Sequence, residues 1–287
     1  AQLQAARKGG ASAAAVPPRA LPPLGPALTP KQQKQLATLI NPTYLHASTI
    51  TAVRQQLEEQ GAMQLSDFVN PAVAAAISHA ARAADRRDGL GGGLVPSYAA
   101  GLKRKGWRAI GPPQLQRYLR HVTKGAEAEE AKGAGPLLQV LRQLMHSPPF
   151  VQLLHAYTGR APTRCASEVR RFRAGLDYTL AHVGTLRDSE VLEASFCFVD
   201  GDVAAADAWD SGEVGGFECY VNAANEELTA AEVYRADASS EGVTSIHPIN
   251  NSLNLCLRAA EAMKFVKFVS AAAPGSRWDV AAEYHLS

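Results

Sequence analysis

The sequence predicts an α+β fold, and three observations lead to this prediction. Up to about residue 160 the apolar residues recur mostly with the period of a helix, whereas from Arg164 onward they recur with the period of about two that is typical of strands. The later strand candidates are short and are separated by Gly and Asp turns. Residues 250–287 contain three such strands with tight turns between them. Short strands that follow a helical half are typical of a double-stranded β-helix, or jelly roll, with a helical N-terminal buttress.

The composition is typical of a folded protein, and its small net charge does not indicate binding to nucleic acid. The chain has 287 residues, 46% of them hydrophobic, and a net charge of +2. This length and hydrophobic content suffice for one large domain or two small ones. No basic stripe with interleaved aromatics is visible, and no apolar run reaches the ~18 residues of a membrane span or resembles a signal peptide. We therefore expect no direct nucleic-acid contact and no membrane partner. Because the chain does not begin with Met, we also expect a piece of a longer protein.

The cysteines are expected to be small core residues. They are far apart in sequence, form no CxxC pair, and mostly fall inside apolar strand patterns. This pattern fits a reducing compartment, so we expect the protein in the cytoplasm, the nucleus or both. The four residues are Cys165, Cys197, Cys219 and Cys256.

The predicted domain organisation is simple. Residues 1–28 are rich in Ala and Pro and are expected to be a largely disordered linker, with a proline-rich docking ligand as the alternative. Residues 29–287 are expected to form a single jelly-roll domain. Its helical part is predicted over 29–160 and its β part over 164–287.

The helices of the first half are predicted from caps and from apolar spacing. Thr29 and Pro30 supply an N-cap and a first-turn proline. Ile50, Val53 and Leu57 lie on one face of an amphipathic helix. The predicted helices cover 29–40, 46–60, 71–86, 115–122, 137–145 and 150–157.

The strands of the second half are predicted from alternation and from turn residues. Arg170, Arg171 and Arg173 form the densest basic cluster and share one predicted strand. We interpret them as a solvated sheet edge, with a contact to an acidic partner or to ribosomal RNA as the alternative. The predicted strands cover 166–172, 178–183, 191–199, 216–222, 233–236, 243–247, 252–257, 263–270 and 277–286.

Six sequence segments together resemble one known family. The segments are INPTYL at 40–45, LSDFVN at 65–70, GPPQLQRY at 111–118, YTLAH at 178–182, GGFECY at 215–220 and FVKFVSAAAPGSRWDVAAE at 265–283. Over about residues 38–287 the chain resembles the C-terminal half of the iron(II)/2-oxoglutarate-dependent ribosomal prolyl hydroxylases. These enzymes hydroxylate a proline in a protein of the small ribosomal subunit. In fungi the corresponding half is called the oxygenase C-terminal degradation domain.

The resemblance implies a division of labour between two jelly-roll domains. The N-terminal domain of the family is catalytic and uses Fe(II), 2-oxoglutarate, O2 and ascorbate, whereas the C-terminal domain lacks the metal site. This chain is similar to the second domain, so we expect no cofactor in it and no catalysis by it alone. Its expected partners are the catalytic N-terminal domain of the same protein and a ribosomal or regulatory protein.

The residues at the aligned metal positions support this expectation. A non-haem iron site of this type needs a His-x-Asp/Glu pair and a distal histidine. Here His182 is followed by Gly184 in place of the carboxylate, and Lys264 stands in place of the distal histidine. Arg277 aligns with the basic residue that binds the far carboxylate of 2-oxoglutarate and would be a remnant of that anchor. The alternative for Arg277 is a structural salt bridge to Asp279 or Glu283.

Two other functions remain open from the sequence. A rearranged metal triad of His182, Asp188 and His247 would make the chain a self-sufficient 2-oxoglutarate oxygenase. A free-standing interaction module without any catalytic half would also fit the sequence.

Overall fold

The computed structural model of the protein describes residues 16–93, 96–102, 106–122, 133–222 and 243–287. The predicted strand over 233–236 lies outside these residues. Among the described residues, no helix is long and apolar enough to cross a membrane.

Six helices are described, and most of them begin at a capping residue or a proline. Thr29 accepts a hydrogen bond from the backbone of Gln32, and the Gln32 side chain accepts one from the backbone of Thr29, which completes a capping box. The short sixth helix was not predicted. The helices are α1 (Pro30–Leu36), α2 (Ala47–Gln60), α3 (Pro71–Asp88), α4 (Ala134–Met145), α5 (Pro148–Thr158) and α6 (Val203–Asp210).

The described strands form two antiparallel sheets. They are β1 (Arg19–Ala20), β2 (Ala62–Leu65), β3 (Trp107–Ile110), β4 (Gln116–His121), β5 (Pro162–Phe172), β6 (Tyr178–Thr179), β7 (Val191–Phe198), β8 (Glu218–Asn222), β9 (Val243–Ile246), β10 (Ser252–Arg258), β11 (Ala262–Val266) and β12 (Arg277–Leu286). The larger sheet has the order β2-β10-β7-β12-β5-β4-β3, with β1 paired to β5 and β6 paired to β4. The smaller sheet has the order β11-β8-β9.

The two sheets enclose a common interior, as in a double-stranded β-helix. Side chains of the larger sheet and of the smaller sheet line the same cavity. Strand β6 bridges the two sheets, because it pairs with β4 while Thr179 Oγ1 accepts a 2.7 Å hydrogen bond from the backbone of Val266, at the end of β11. The predicted jelly roll with a helical buttress is therefore confirmed.

Helices α1 to α5 cover the outer face of the larger sheet. On β7 the side chains of Leu192, Ala194, Phe196 and Phe198 belong to the main hydrophobic core, which they share with the helices. The alternate residues of that strand, Glu193 and Ser195, line the cavity between the sheets. This alternation places one apolar face of β7 under the helices and one polar face inside the jelly roll.

One predicted helix is wrong. Residues 116–121 form β4, which pairs with β3 and, through Leu119 and Arg120, with Arg171 and Arg170 of β5. The apolar positions 115, 118, 119 and 122 have the spacing of an amphipathic helix, so the sequence pattern alone predicted a helix where the structure has a strand. The division into a helical part 29–160 and a β part does not hold either, because β2, β3 and β4 come from the first part.

The predicted disordered linker 1–28 needs correction over its last part. Arg19 and Ala20 pair with Arg164 and Cys165 at the start of β5, and Leu21 packs against the main core. At this end β5 is not paired with β4, so its edge offers free backbone groups to an extended segment. Proline-rich chain is compatible with such an edge position.

Candidate functional site

The interior between the sheets contains a small cavity whose lining includes four charged side chains. Its volume is about 30 Å³, which is enough to hold at least one water molecule. The cavity is lined by Arg170, Thr179, Glu193, Ala194, Ser195, Glu218, Tyr220, Lys264, Phe265, Val266 and Ala281. Two carboxylates and two cations therefore face one space that holds at most a very small ligand.

Glu193 is the centre of the first charged cluster. Arg258 Nε donates to Glu193 Oε1 at 2.8 Å, and Lys264 Nζ donates to Glu193 Oε2 at 2.5 Å. Arg258 also bonds Glu283, which in turn pairs with Arg187 at 2.7 Å. Burial alone would raise the pKa of Glu193, but the charges of Lys264 and Arg258 outweigh this effect and lower the pKa. Glu193 is therefore ionised at neutral pH, and each of its carboxylate oxygens accepts a hydrogen bond from a cation.

Arg277 is the centre of the second charged cluster. Its side chain is completely buried, and its Nη2 contacts the carboxylate of Glu218 while Nη1 donates to the carbonyl oxygen of Gly216. Asp279 lies 3.1 Å from the same Nη2 and binds Arg170 through two hydrogen bonds of 2.7 and 2.9 Å. The structure therefore contains the salt bridge to Asp279 that the sequence suggested, and it adds Glu218, which the sequence did not.

The three predicted metal positions lie close together. His182 is not on a strand, because β6 ends at Thr179 and His182 caps the short turn Val183–Thr185. Its Nδ1 accepts a 3.1 Å hydrogen bond from the backbone N–H of Gly184. Lys264 is next to this turn, and its backbone N–H donates to Thr185 Oγ1 at 3.4 Å. Burial, and then the charge of Arg187, lowers the pKa of His182.

The donor groups at these positions do not fit an iron site. Gly184 offers no carboxylate, and the ammonium group of Lys264 is ion-paired with Glu193. Within the described ranges, no group of three His, Cys, Asp or Glu residues is placed to hold a metal ion. His182, Asp188 and His247 are all described, so the structure does not bring this alternative triad together.

The basic cluster at the end of β5, formed by Arg170, Arg171 and Arg173, is neither a solvated edge nor a surface for nucleic acid. All three arginines are buried, and the first is the partner of Asp279 described above. Arg171 binds Asp85 at 2.7 Å and Asp88 at 2.6 Å, which ties the end of α3 to the sheet. Arg173 binds Asp177 at 2.7 Å. These arginines are internal structural cross-links.

The cysteines have the environment of core residues. All four are free thiols and all are buried. Burial raises the pKa of Cys165, Cys197 and Cys256 to about 12 and that of Cys219 to about 11. Such thiols are poor nucleophiles at neutral pH, so these cysteines do not form a reactive site.

Comparison with known proteins identifies the family. The family described as "Oxoglutarate and iron-dependent oxygenase degradation C-term" matches residues 31–287. The chain belongs to this family. It is 35% identical over 253 residues to a protein of Ostreococcus tauri named "Prolyl 3,4-dihydroxylase OGFOD1", a match that covers 88% of the chain and 48% of the relative. The chain therefore spans about half the length of that relative.

The comparison with solved structures finds prolyl hydroxylases at low similarity. The first is a Trichoplax adhaerens prolyl hydroxylase in complex with a peptide of hypoxia inducible factor, with a TM-score of 0.47, 13% identity, and coverage of 88% of this chain and 90% of that one. The second is a Pseudomonas putida prolyl-4-hydroxylase, with a TM-score of 0.43, 16% identity, and coverage of 82% and 98%. Similarity at this level carries no conclusion about the activity of the chain.

Proposed function

We propose that the chain is the non-catalytic C-terminal jelly-roll domain of a two-domain prolyl hydroxylase that acts on a small-subunit ribosomal protein. One observation carries this proposal: Lys264 occupies the aligned position of the distal metal ligand, and its ammonium group is paired with Glu193. To bind a metal, Lys264 would have to lose its proton and Glu193 would lose one of its two cations. Both changes are unfavourable in a buried cluster.

In this proposal the cofactors belong to the other half of the protein. Fe(II) and 2-oxoglutarate would bind in an N-terminal catalytic domain that also uses ascorbate. The relative that supports this assignment is named a prolyl 3,4-dihydroxylase and is about twice as long as the chain. The present domain would support the catalytic half and contact protein partners in the cytoplasm or nucleus.

An exposed row of side chains supports a role in protein contact. The guanidinium of Arg117 lies 4.8 Å from the ring centre of Tyr98 and 5.5 Å from that of Tyr178, whose ring is 6.3 Å from that of Phe268. We call these four residues the aromatic row. Tyr98 is 69% exposed and Phe268 is 42% exposed. Exposed aromatic side chains that are connected through neighbouring residues mark a contact site more often than isolated exposed residues do.

The proposed lack of catalysis is tested with the purified chain. We expect no succinate when the chain is supplied with Fe(II), 2-oxoglutarate, O2 and ascorbate, and no heat of binding when Mn(II) replaces iron in calorimetry. The reason is that the aligned positions offer one imidazole, one glycine and one paired lysine. Micromolar Mn(II) binding, together with succinate production that the substitution His182→Ala abolishes, would contradict the proposal.

The proposed contact is tested by co-purification. When the chain is co-expressed with the catalytic half of the same protein, we expect Phe268→Asp to reduce the amount of catalytic half recovered. The reason is that a charge in the aromatic row would have to be desolvated in the contact. Val203, which is 82% exposed on α6, is the matched control, and Val203→Asp should leave recovery unchanged. Equal recovery with both variants would exclude the aromatic row as the contact.

A further inference from the structure

The carboxylate of Glu218 is held as a bound ligand would be held. Ser195 Oγ donates to its Oε1 at 2.7 Å, Tyr220 OH donates to its Oε2 at 2.9 Å, and Arg277 Nη2 contacts Oε1. A guanidinium with two hydroxyl donors is a common set of groups by which proteins recognise a carboxylate. Burial would raise the pKa of Glu218, but the charges of Arg277 and Arg170 and the two hydroxyl donors lower it, so the group is ionised.

The location of this carboxylate is as important as its contacts. Glu218 belongs to β8 of the smaller sheet, whereas Arg277 begins β12 and Ser195 is on β7 of the larger sheet. Glu218 and Ser195 both line the cavity between the sheets. The carboxylate therefore crosses the interior and fills a site whose charged donor belongs to the opposite sheet.

We propose that Glu218 is an internal ligand, and that its carboxylate fills a carboxylate-binding site formed by Arg277, Ser195 and Tyr220. Each of the three residues directs one donor to the carboxylate of Glu218, and the site is closed to outside carboxylates because the chain supplies its own. This inference goes beyond the proposed function, which concerns the metal positions around His182 and Lys264. It also holds whether or not the domain has a catalytic partner.

The proposal predicts that a small carboxylate can replace the side chain. Glu218→Ala removes one methylene and the carboxylate, which together have nearly the size and the charge of acetate. The cavity is then enlarged by that fragment, while the buried guanidinium of Arg277 loses an anionic partner. Acetate should bind in the enlarged cavity and restore part of the lost stability.

The experiment measures the melting temperature of the chain against acetate concentration at fixed pH and ionic strength. For Glu218→Ala we expect a saturable rise of about 3–6 °C at roughly ten times the fitted dissociation constant. Chloride and the neutral isostere acetamide should not produce this rise, and the unsubstituted chain should not respond to acetate. If acetate, chloride and acetamide act alike on Glu218→Ala, the proposal is overturned.

Glu168→Ala is the matched control. Glu168 also accepts hydrogen bonds from an arginine and a tyrosine, Arg120 at 2.5 Å and Tyr118 at 3.0 Å, but the side chains of Glu168 and Arg120 are 17% and 19% exposed. Water can solvate Arg120 when this carboxylate is removed, so acetate should not stabilise the variant. A similar response of Glu168→Ala and Glu218→Ala would show a general salt effect and would overturn the proposal.

A second variant covers the case in which Glu218→Ala does not fold. The double substitution Glu218→Ala with Arg277→Met removes the cation together with its ligand. Glu218→Ala leaves the two buried arginines Arg170 and Arg277 with the single carboxylate of Asp279. Because this excess positive charge is the cause of the loss, we expect the double variant to fold, to melt above Glu218→Ala, and to be indifferent to acetate. A double variant that is as unstable as the single one would overturn the proposal.

Discussion

Replacing Asp279 with asparagine is expected to lower the free energy of unfolding by about 3–5 kcal/mol, the range for breaking a buried ion pair from one side. Asp279 is completely buried and binds two arginines, Arg170 through two hydrogen bonds and Arg277 at 3.1 Å. Asparagine keeps nearly the same shape but loses the charge and turns an NH2 group toward a guanidinium. Both arginines are then left in the interior with less compensation.

The measurement is urea denaturation followed by circular dichroism, with an exposed ion pair as control. Arg160 and Glu190 are paired at the surface, where their side chains are 40% and 37% exposed. Glu190→Gln should therefore change the free energy of unfolding by about 0–1 kcal/mol, as is usual for a surface pair. If Asp279→Asn were no more destabilising than Glu190→Gln, the buried arginines would not depend on Asp279.

The elements with strong local signals were predictable from sequence. Thr29 as N-cap and Pro30 as first-turn proline predicted the correct start of the first helix, and the alternation from Arg277 predicted the last strand. In contrast, β3 and β4 are short strands whose position depends on pairing with distant residues such as Arg171. A short apolar pattern does not reveal that pairing, because tertiary contacts decide between helix and strand.

The candidate site could be predicted only in part. The resemblance assigned His182, Gly184 and Lys264 to the metal positions, and the structure shows these residues around one turn. The resemblance did not indicate Glu193, which pairs with Lys264, or Glu218, which pairs with Arg277. A signal was present for Glu193, because a carboxylate inside the apolar segment 191–198 has to be paired when both faces of the strand are covered. The sequence does not show which cation is the partner.

Phe196 is expected to be the most sensitive apolar position of the sheet. Its ring centre lies 5.9 Å from that of Phe68 and 5.7 Å from that of Phe150, at the first turn of α5. The side chain is completely buried in the main core. We expect Phe196→Ala to lower the free energy of unfolding by about 3–5 kcal/mol, because the substitution removes a large apolar group and leaves a cavity between the sheet and the helices.

Phe268→Ala is the matched control, since it removes the same atoms from a side chain that is 42% exposed. Its effect should stay within about 0.5 kcal/mol, as is usual for substitutions at the surface. Urea denaturation gives the free energy of unfolding of both variants, and so compares the loss of a phenyl ring from a buried position with its loss from an exposed one. A small effect of Phe196→Ala would mean that α5 can close onto β7 without the aromatic contact. A large effect would show that the aromatic contact of Phe196 fixes the helices to the outer face of the jelly roll. The position of the charged residues on the other face of β7 would then depend on the same contact, because they belong to the strand that Phe196 anchors.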